Sequence, residues 1–223
     1  ETGEIEVSGA ALGTFDNIAH ASDIISLLMV QNGADLTNLA GPQKVNAVQA
    51  LQFYTSFAQG ENAVWNNEME NSKLAFTQGK VALYFGYSWD ILEMKAANPD
   101  LQFKIVKVPH LPGRDETIAS YWVEGVSSKS KFPKESFLFL QFLASKNSIE
   151  QIFAAESKER GLGVPYPRID MAPMLKNNEI LYPFVEQAPT AVSTIFSADT
   201  YDAGYVTALN GYLANAVNSI LNE

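Results

Sequence analysis

The sequence predicts an α/β fold, and three observations carry that prediction. Capped stretches of helical periodicity recur along the chain, short apolar or alternating runs separate them, and one run, Val81-Ala82-Leu83-Tyr84-Phe85, is continuous, as in a strand buried on both faces. No internal repeat is present.

Ile5-Glu6-Val7-Ser8 alternates apolar and polar residues, a weak strand signal. Asp16 or Asn17 can cap a helix through Ile18, Ala21, Ile24, Ile25 and Leu28, which ends at Asn32-Gly33. Gly41-Pro42 opens the next helix, with Val45, Val48, Leu51 and Tyr54 at intervals of three. A short helix is expected between Glu68 and Phe76. Ser88 caps another through Ile91, Leu92 and Met94, and Asn98-Pro99 stops it. Strands are expected at Phe103–Val108, beside a central Val81–Phe85, and at Tyr121–Val126. Pro133 starts a strongly apolar helix through Phe137, Leu140 and Leu143, and Asn147 or Ser148 caps a second through Ile152 and Phe153. Gly161 to Pro167 is a loop. Short helices fit Met171–Lys176 and Asn178–Ala188, and the last helix carries Tyr205, Leu209, Tyr212, Leu213, Ala216, Val217 and Ile220 on one side.

Composition excludes several functions. The 223 residues are 47% hydrophobic and 18% charged, an ordinary globular balance. A net charge of -10 without a basic stripe argues against nucleic-acid and anionic-membrane partners. With 0 Cys there is no disulfide framework, thiolate metal site or cysteine nucleophile. Phe137-Leu138-Phe139-Leu140 falls far short of the roughly 20 apolar residues that span a bilayer. The chain begins at Glu1, without Met or leader, and reads as a mature or truncated product.

Tests for chemistry mostly fail. His20 and His110 stand alone, without a metal-binding spacing, so no metal site and no cofactor is assigned. GxSxG and GxxxxGK[ST] are absent, and Pro165 spoils Gly161-Leu162-Gly163 as a dinucleotide fingerprint. Glu68 with Glu70, or Asp199 with Asp202, can be imagined as a glycosidase pair, but a solvated acidic face is the better account of Glu68 and Glu70, since their stretch is polar throughout. Aromatic residues are the remaining signal. Trp89 follows a buried strand directly, where open α/β folds bind ligands, although it can also pack under its own helix. Tyr121 and Trp122 occupy a similar position on the next expected strand, and Asp202 suits a helix cap.

Phe76-Thr77-Gln78-Gly79-Lys80-Val81-Ala82-Leu83, with Gly86 and Trp89, resembles the F-x-x-G-K-x-A-M…G-x-W signature of family 1 extracellular solute-binding proteins, the maltose-binding-protein-like servants of ABC importers; Leu83 replaces the usual Met. Three further segments match in order: Val126-Ser127-Ser128-Lys129-Ser130-Lys131, the helix Phe137-Leu138-Phe139-Leu140-Gln141-Phe142-Leu143, and the loop Gly163-Val164-Pro165-Tyr166-Pro167-Arg168-Ile169-Asp170. The resemblance covers nearly the whole chain.

That resemblance implies a periplasmic binding protein type II-like fold, a mixed sheet flanked by helices, lacking most of the N-terminal lobe. Residues 1–122 are then the first part of the C-terminal lobe, 123–171 cross to the N-terminal lobe, and 172–223 return. The crossing segment lacks its own sheet partners, so its apolar helix is expected to be covered either by a second fragment or by another copy of the chain, through self-association. The implied function is non-catalytic binding of a solute, a carbohydrate by expectation, in an inter-lobe cleft for delivery to a membrane permease. The location is extracellular or periplasmic, with a lipid anchor ahead of Glu1. Sugars need flat rings against their CH faces and short polar groups for their hydroxyls. Trp89 matches the stacking Trp, with Tyr87 beside it; Phe15, Asp16 and Asn17 fall on the strand-to-helix loop; Tyr121, Trp122 and Glu124 on the hinge strand; Thr200, Tyr201 and Asp202 on the last cleft-lining element. Asp16 is equally a helix cap. The alternatives are a hydrolase with two facing carboxylates and a surface interaction module on the same fold.

Overall fold

The computed structural model of the protein describes residues 5–61, 63–198 and 203–222. It divides into two compact units. The first comprises the chain up to Phe103, Val108–Ser120 and the chain from Ala188 onward; the second comprises Lys104–Lys107 and Tyr121–Gln187.

In the first unit, β1 (Ser8–Ala10) pairs in parallel with β2 (Val81–Leu83), Ser8 opposite Val81 and Ala10 opposite Leu83. α1 (Ala21–Gln31) follows β1 and buries Ile24, Ile25, Leu27 and Met29. It stops where the sequence predicts: Asn32 is its C-cap, and Gly33 takes φ +81°, a left-handed conformation that suits glycine. The helix begins later than expected, after His20, because Asn17 is held by other bonds described below. α2 (Lys44–Thr55) packs on α1. Its buried face is Ala47, Ala50 and Tyr54, while Val45 and Val48 are exposed. The spacing of three is right for Leu51 and Tyr54, which pack on the core, and wrong for Val45 and Val48, whose place is taken by Ala47 and Ala50. α3 (Ser72–Thr77) is capped by the Asn71 side chain, which accepts from the Lys73 amide at 3.0 Å.

β2 differs from expectation in length and burial. It covers three residues, with Val81 buried, Ala82 exposed and Leu83 61% exposed. Among the described residues β2 belongs to a two-stranded ladder, not to the interior of the wide parallel sheet whose strands are covered on both faces. After β2 come α4 (Asp90–Ala97) and the short β3 (Thr117–Ile118). Phe103–Val108 and Tyr121–Val126, expected as strands, join no hydrogen-bonded ladder among the described residues. Among the described residues the strands form two parallel pairs, β1-β2 and β3-β4, in place of one mixed sheet.

The second unit contains α5 (Pro133–Leu143), with Pro at the start of the helix, and α6 (Lys146–Arg160). The cap of α6 is Ser145, whose Oγ accepts from the Ser148 amide at 3.3 Å, rather than Asn147 or Ser148. Gly161 ends it in the left-handed region. Arg168 forks onto Asp170 at 2.8 and 3.1 Å and donates to the Ala144 carbonyl at 3.1 Å, tying the Pro-rich loop to the end of α5. Leu175, Leu181 and Val185 of α7 (Tyr182–Gln187) and its approach form a small core. No residue of α5 is buried.

The chain returns to the first unit through β4 (Ala191–Val192), which pairs with β3, and ends in α8 (Tyr205–Leu221). Leu213 and Val217 of α8 join the core of Ile25, Met29, Tyr54 and Trp65. Among the described residues, no helix is long and apolar enough to cross a membrane.

Candidate functional site

The turn between β2 and α4 builds the site. Gly86 is needed there by space: a Cβ would lie 2.6 Å from Asp90 Oδ2. The chain folds back so closely that the Tyr87 amide donates to the same oxygen at 3.1 Å. Asp90 is 2% exposed and heavily served. It accepts from Tyr84 Oη at 3.1 Å and from His20 Nε2 at 2.8 Å, and pairs with Lys73 Nζ at 3.4 Å. Lys73 also pairs with Glu93. Burial pushes the Asp90 carboxyl up, but His20, the Tyr87 amide and Lys73 outweigh it and hold the group below its ordinary range.

His20 is the reciprocal partner. Burial lowers its pKa, yet hydrogen bonds and charge from Asp23 and Asp90 prevail and raise it to about 9. Its Nδ1 lies 3.7 Å from Asp23 Oδ2. The backbone of His20 is left-handed, at φ 60° and ψ 27°, an uncommon state for a residue with a Cβ.

Over this charged base stand two aromatic rings. Tyr87 and Trp89 stack with centroids 4.4 Å apart and planes 18° apart. The His20 ring meets Tyr87 edge-on at 5.0 Å and 89°, and Trp89 at 6.5 Å and 73°. Trp89 remains 41% exposed. The Tyr87 hydroxyl turns inward, buried beside Asp23 and Ser197 without a hydrogen bond of normal geometry. Burial first, and the Asp23 charge second, raise its pKa.

The residues marked in the sequence are distributed unevenly. Tyr87 and Trp89 are together. Phe15 is half-buried against the core, and Asp16 is exposed on the same loop. The amide of Asn17 is fully used inside the fold: Nδ2 donates to the Asn66 and Met69 carbonyls at 2.8 and 2.9 Å, and Oδ1 accepts from Trp65 Nε1 at 3.1 Å and from Thr14. Tyr121, Trp122 and Glu124 belong to the second unit and are exposed there. Thr200, Tyr201 and Asp202 lie outside the described residues, as does Asp199. Glu68 and Glu70 are exposed, and Glu70 pairs with Lys80 at 3.1 Å. His20, Asp23 and Asp90 were not candidates in the sequence; their only signals are a lone His and a first-turn acid.

The family model of the bacterial extracellular solute-binding proteins matches residues 8–158. A search of the curated proteins found no match. Among solved structures, a cyclo/maltodextrin-binding protein complexed with maltotetraose is similar at 20% identity and a TM-score of 0.65, over 97% of this chain and 58% of that one. An ABC transporter solute-binding protein from Thermotoga lettingae TMO, bound with alpha-D-tagatose, is similar at 21% identity and a TM-score of 0.60, over 84% of this chain and 49% of that one. This chain thus spans about half the length of these proteins, and at such identities the likeness is one of fold, the periplasmic binding protein type II fold. Built around the Gly86–Trp89 turn and matched across most of its length, the chain belongs to the bacterial extracellular solute-binding proteins.

Proposed function

We propose that this protein binds a carbohydrate, without catalysis, for delivery to the permease of an ABC importer outside the cytoplasmic membrane. The observation that carries the reading is the Tyr87–Trp89 stack, which covers one face of the indole and leaves Trp89 partly exposed. An open indole face suits the apolar CH face of a sugar ring. The exposed carboxylate of Asp16 is assigned as an acceptor for sugar hydroxyls, and Phe15 of the same loop, half-buried against the core, as an apolar contact. Thr200, Tyr201 and Asp202 are assigned to the same task by family likeness, and Tyr121, Trp122 and Glu124 supply exposed aromatic and acidic groups on the second unit. Asn17 supports the loop and is left out of direct contact. The sugar ligands of the two similar structures agree with this reading. We also retain the family's lobe division, with 1–122 and 172–223 in one lobe, 123–171 in the other, and a lipid anchor ahead of them.

A hydrolase needs one carboxyl kept protonated as an acid. Beside Trp89, Asp90 is driven the opposite way and is locked by four partners, which favours binding over catalysis.

Calorimetric titration of the full-length protein with maltotetraose and D-tagatose tests the proposal. Binding is expected for at least one of them, and Trp89→Ala should weaken it by about 1–3 kcal/mol, the scale of one desolvated aromatic anchor. Unchanged affinity in that variant removes Trp89 from the site.

A further inference from the structure

An exposed indole gains nothing as a binding surface if it is free to turn. Trp89 is not left to its own rotamers: the stack on Tyr87 shields one face, and His20 abuts the edges of both rings. His20 is itself fixed, between Asp90 and Asp23 and by a left-handed backbone. Strained backbone of this kind persists where the surroundings over-determine it. Tyr87 cannot offer its hydroxyl to a solute, because that end of the ring is buried beside Asp23 and Ser197. Its ring is what reaches the indole.

We propose that Tyr87 and His20 are positioning residues, which hold Trp89 with one face open to the solute and pay the ordering cost before binding. This rests on the reading of Trp89 as the stacking residue. Tyr87 then moves from ligand contact to support, and the solute is confined to the face of the indole opposite Tyr87.

The test uses the full-length protein with Tyr87→Leu, Tyr87→Phe and Trp89→Ala, titrated with maltotetraose and D-tagatose, and the melting temperature of each. Tyr87→Leu should weaken binding about fivefold, the scale of one side chain that must be ordered on association. Tyr87→Phe, which keeps the ring, should restore most of the affinity. A ligand-free readout accompanies it. For this readout the 223-residue chain is used with Trp122→Phe: its remaining indoles are the buried Trp65 and the open Trp89, so acrylamide quenching should rise in Tyr87→Leu and stay unchanged in Tyr87→Phe. Should Tyr87→Leu fail to fold, His20→Gln, which removes the edge contact, is read in the same way. If Trp89→Ala abolishes binding while Tyr87→Leu alters neither affinity nor quenching, stacking stands and the positioning role is overturned. If Trp89→Ala leaves affinity unchanged, both readings fall. If neither sugar binds, quenching alone decides: a rise supports the hold on the ring, and no change overturns it.

Discussion

His20 and Asp90 stand 70 residues apart in the chain and meet at 2.8 Å, the imidazole Nε2–H donating to a carboxylate that is almost wholly buried. The contact joins the start of α1 to the start of α4. It also carries the charge balance beneath the aromatic pair, since each partner stabilises the ionised form of the other.

Stability should therefore depend on pH through His20. Its folded pKa of about 9 lies above the unfolded value of 6.5, so its contribution is complete below 6.5 and is lost as pH rises through 9. The size of the loss is about 3 kcal/mol. Asp90 acts at the other end: its carboxyl is held below the ordinary range, so its contribution is present above the unfolded value of 3.8 and is lost as pH falls through the lower folded one. Urea unfolding from pH 6 to 9.5 should show a steady decline that His20→Gln abolishes. A parallel decline in the variant would assign the slope to other groups.

Asn17 should prove structural. Its amide makes four internal bonds, and one of them holds the indole N–H of the fully buried Trp65. Asn17→Ala leaves two carbonyls and that N–H without partners, at a cost of about 2–4 kcal/mol. Denaturant titration measures it; a loss under about 1 kcal/mol would mean that water replaces the amide.

Gly86 should tolerate no side chain. An alanine Cβ would press on the Tyr84 ring and the Asp90 carboxylate together. Gly86→Ala should cost about 1–3 kcal/mol and shift Trp89 emission as the turn opens. A variant with wild-type stability and emission would show that the turn yields without strain.

Local chemistry made parts of this structure readable in advance. Gly33, Asn98-Pro99 and Gly161 end helices by their own backbone preferences, and Gly86 marks the close turn ahead of Trp89. What the sequence hid is non-local. Phe103–Val108 has strand composition, but a strand exists only with a hydrogen-bonded partner strand, and it has none among the described residues. Val45 and Val48 were favoured by bulk over Ala47 and Ala50, yet the contact of α1 with α2 takes the small residues. His20 looked inert because Asp90, the nearer of the two carboxylates that charge it, comes from a different helix. Asn17 looked like a ligand group because nothing local revealed that Trp65, Asn66 and Met69 would consume its amide.

The apolar helix α5 leads to the last prediction. Phe137, Leu138, Phe139 and Phe142 are 58–63% exposed, and they do not share one face: Phe137 and Phe139 point to opposite sides of a helix with 3.6 residues per turn. A helix apolar around its circumference is a helix that belongs inside a packed body. Phe132 nearby is exposed as well. Patches of this kind on a soluble chain drive association. The 223-residue chain taken by itself should therefore associate in a concentration-dependent way and bind a hydrophobic dye, as the expected self-association requires. Phe137→Ser combined with Phe142→Ser should reduce both signals, while the first unit, whose core is separate, keeps its thermal transition. Sedimentation velocity decides the matter: a chain that runs as a 24.4 kDa monomer across the concentration range, without dye binding, would show that α5 is content in water.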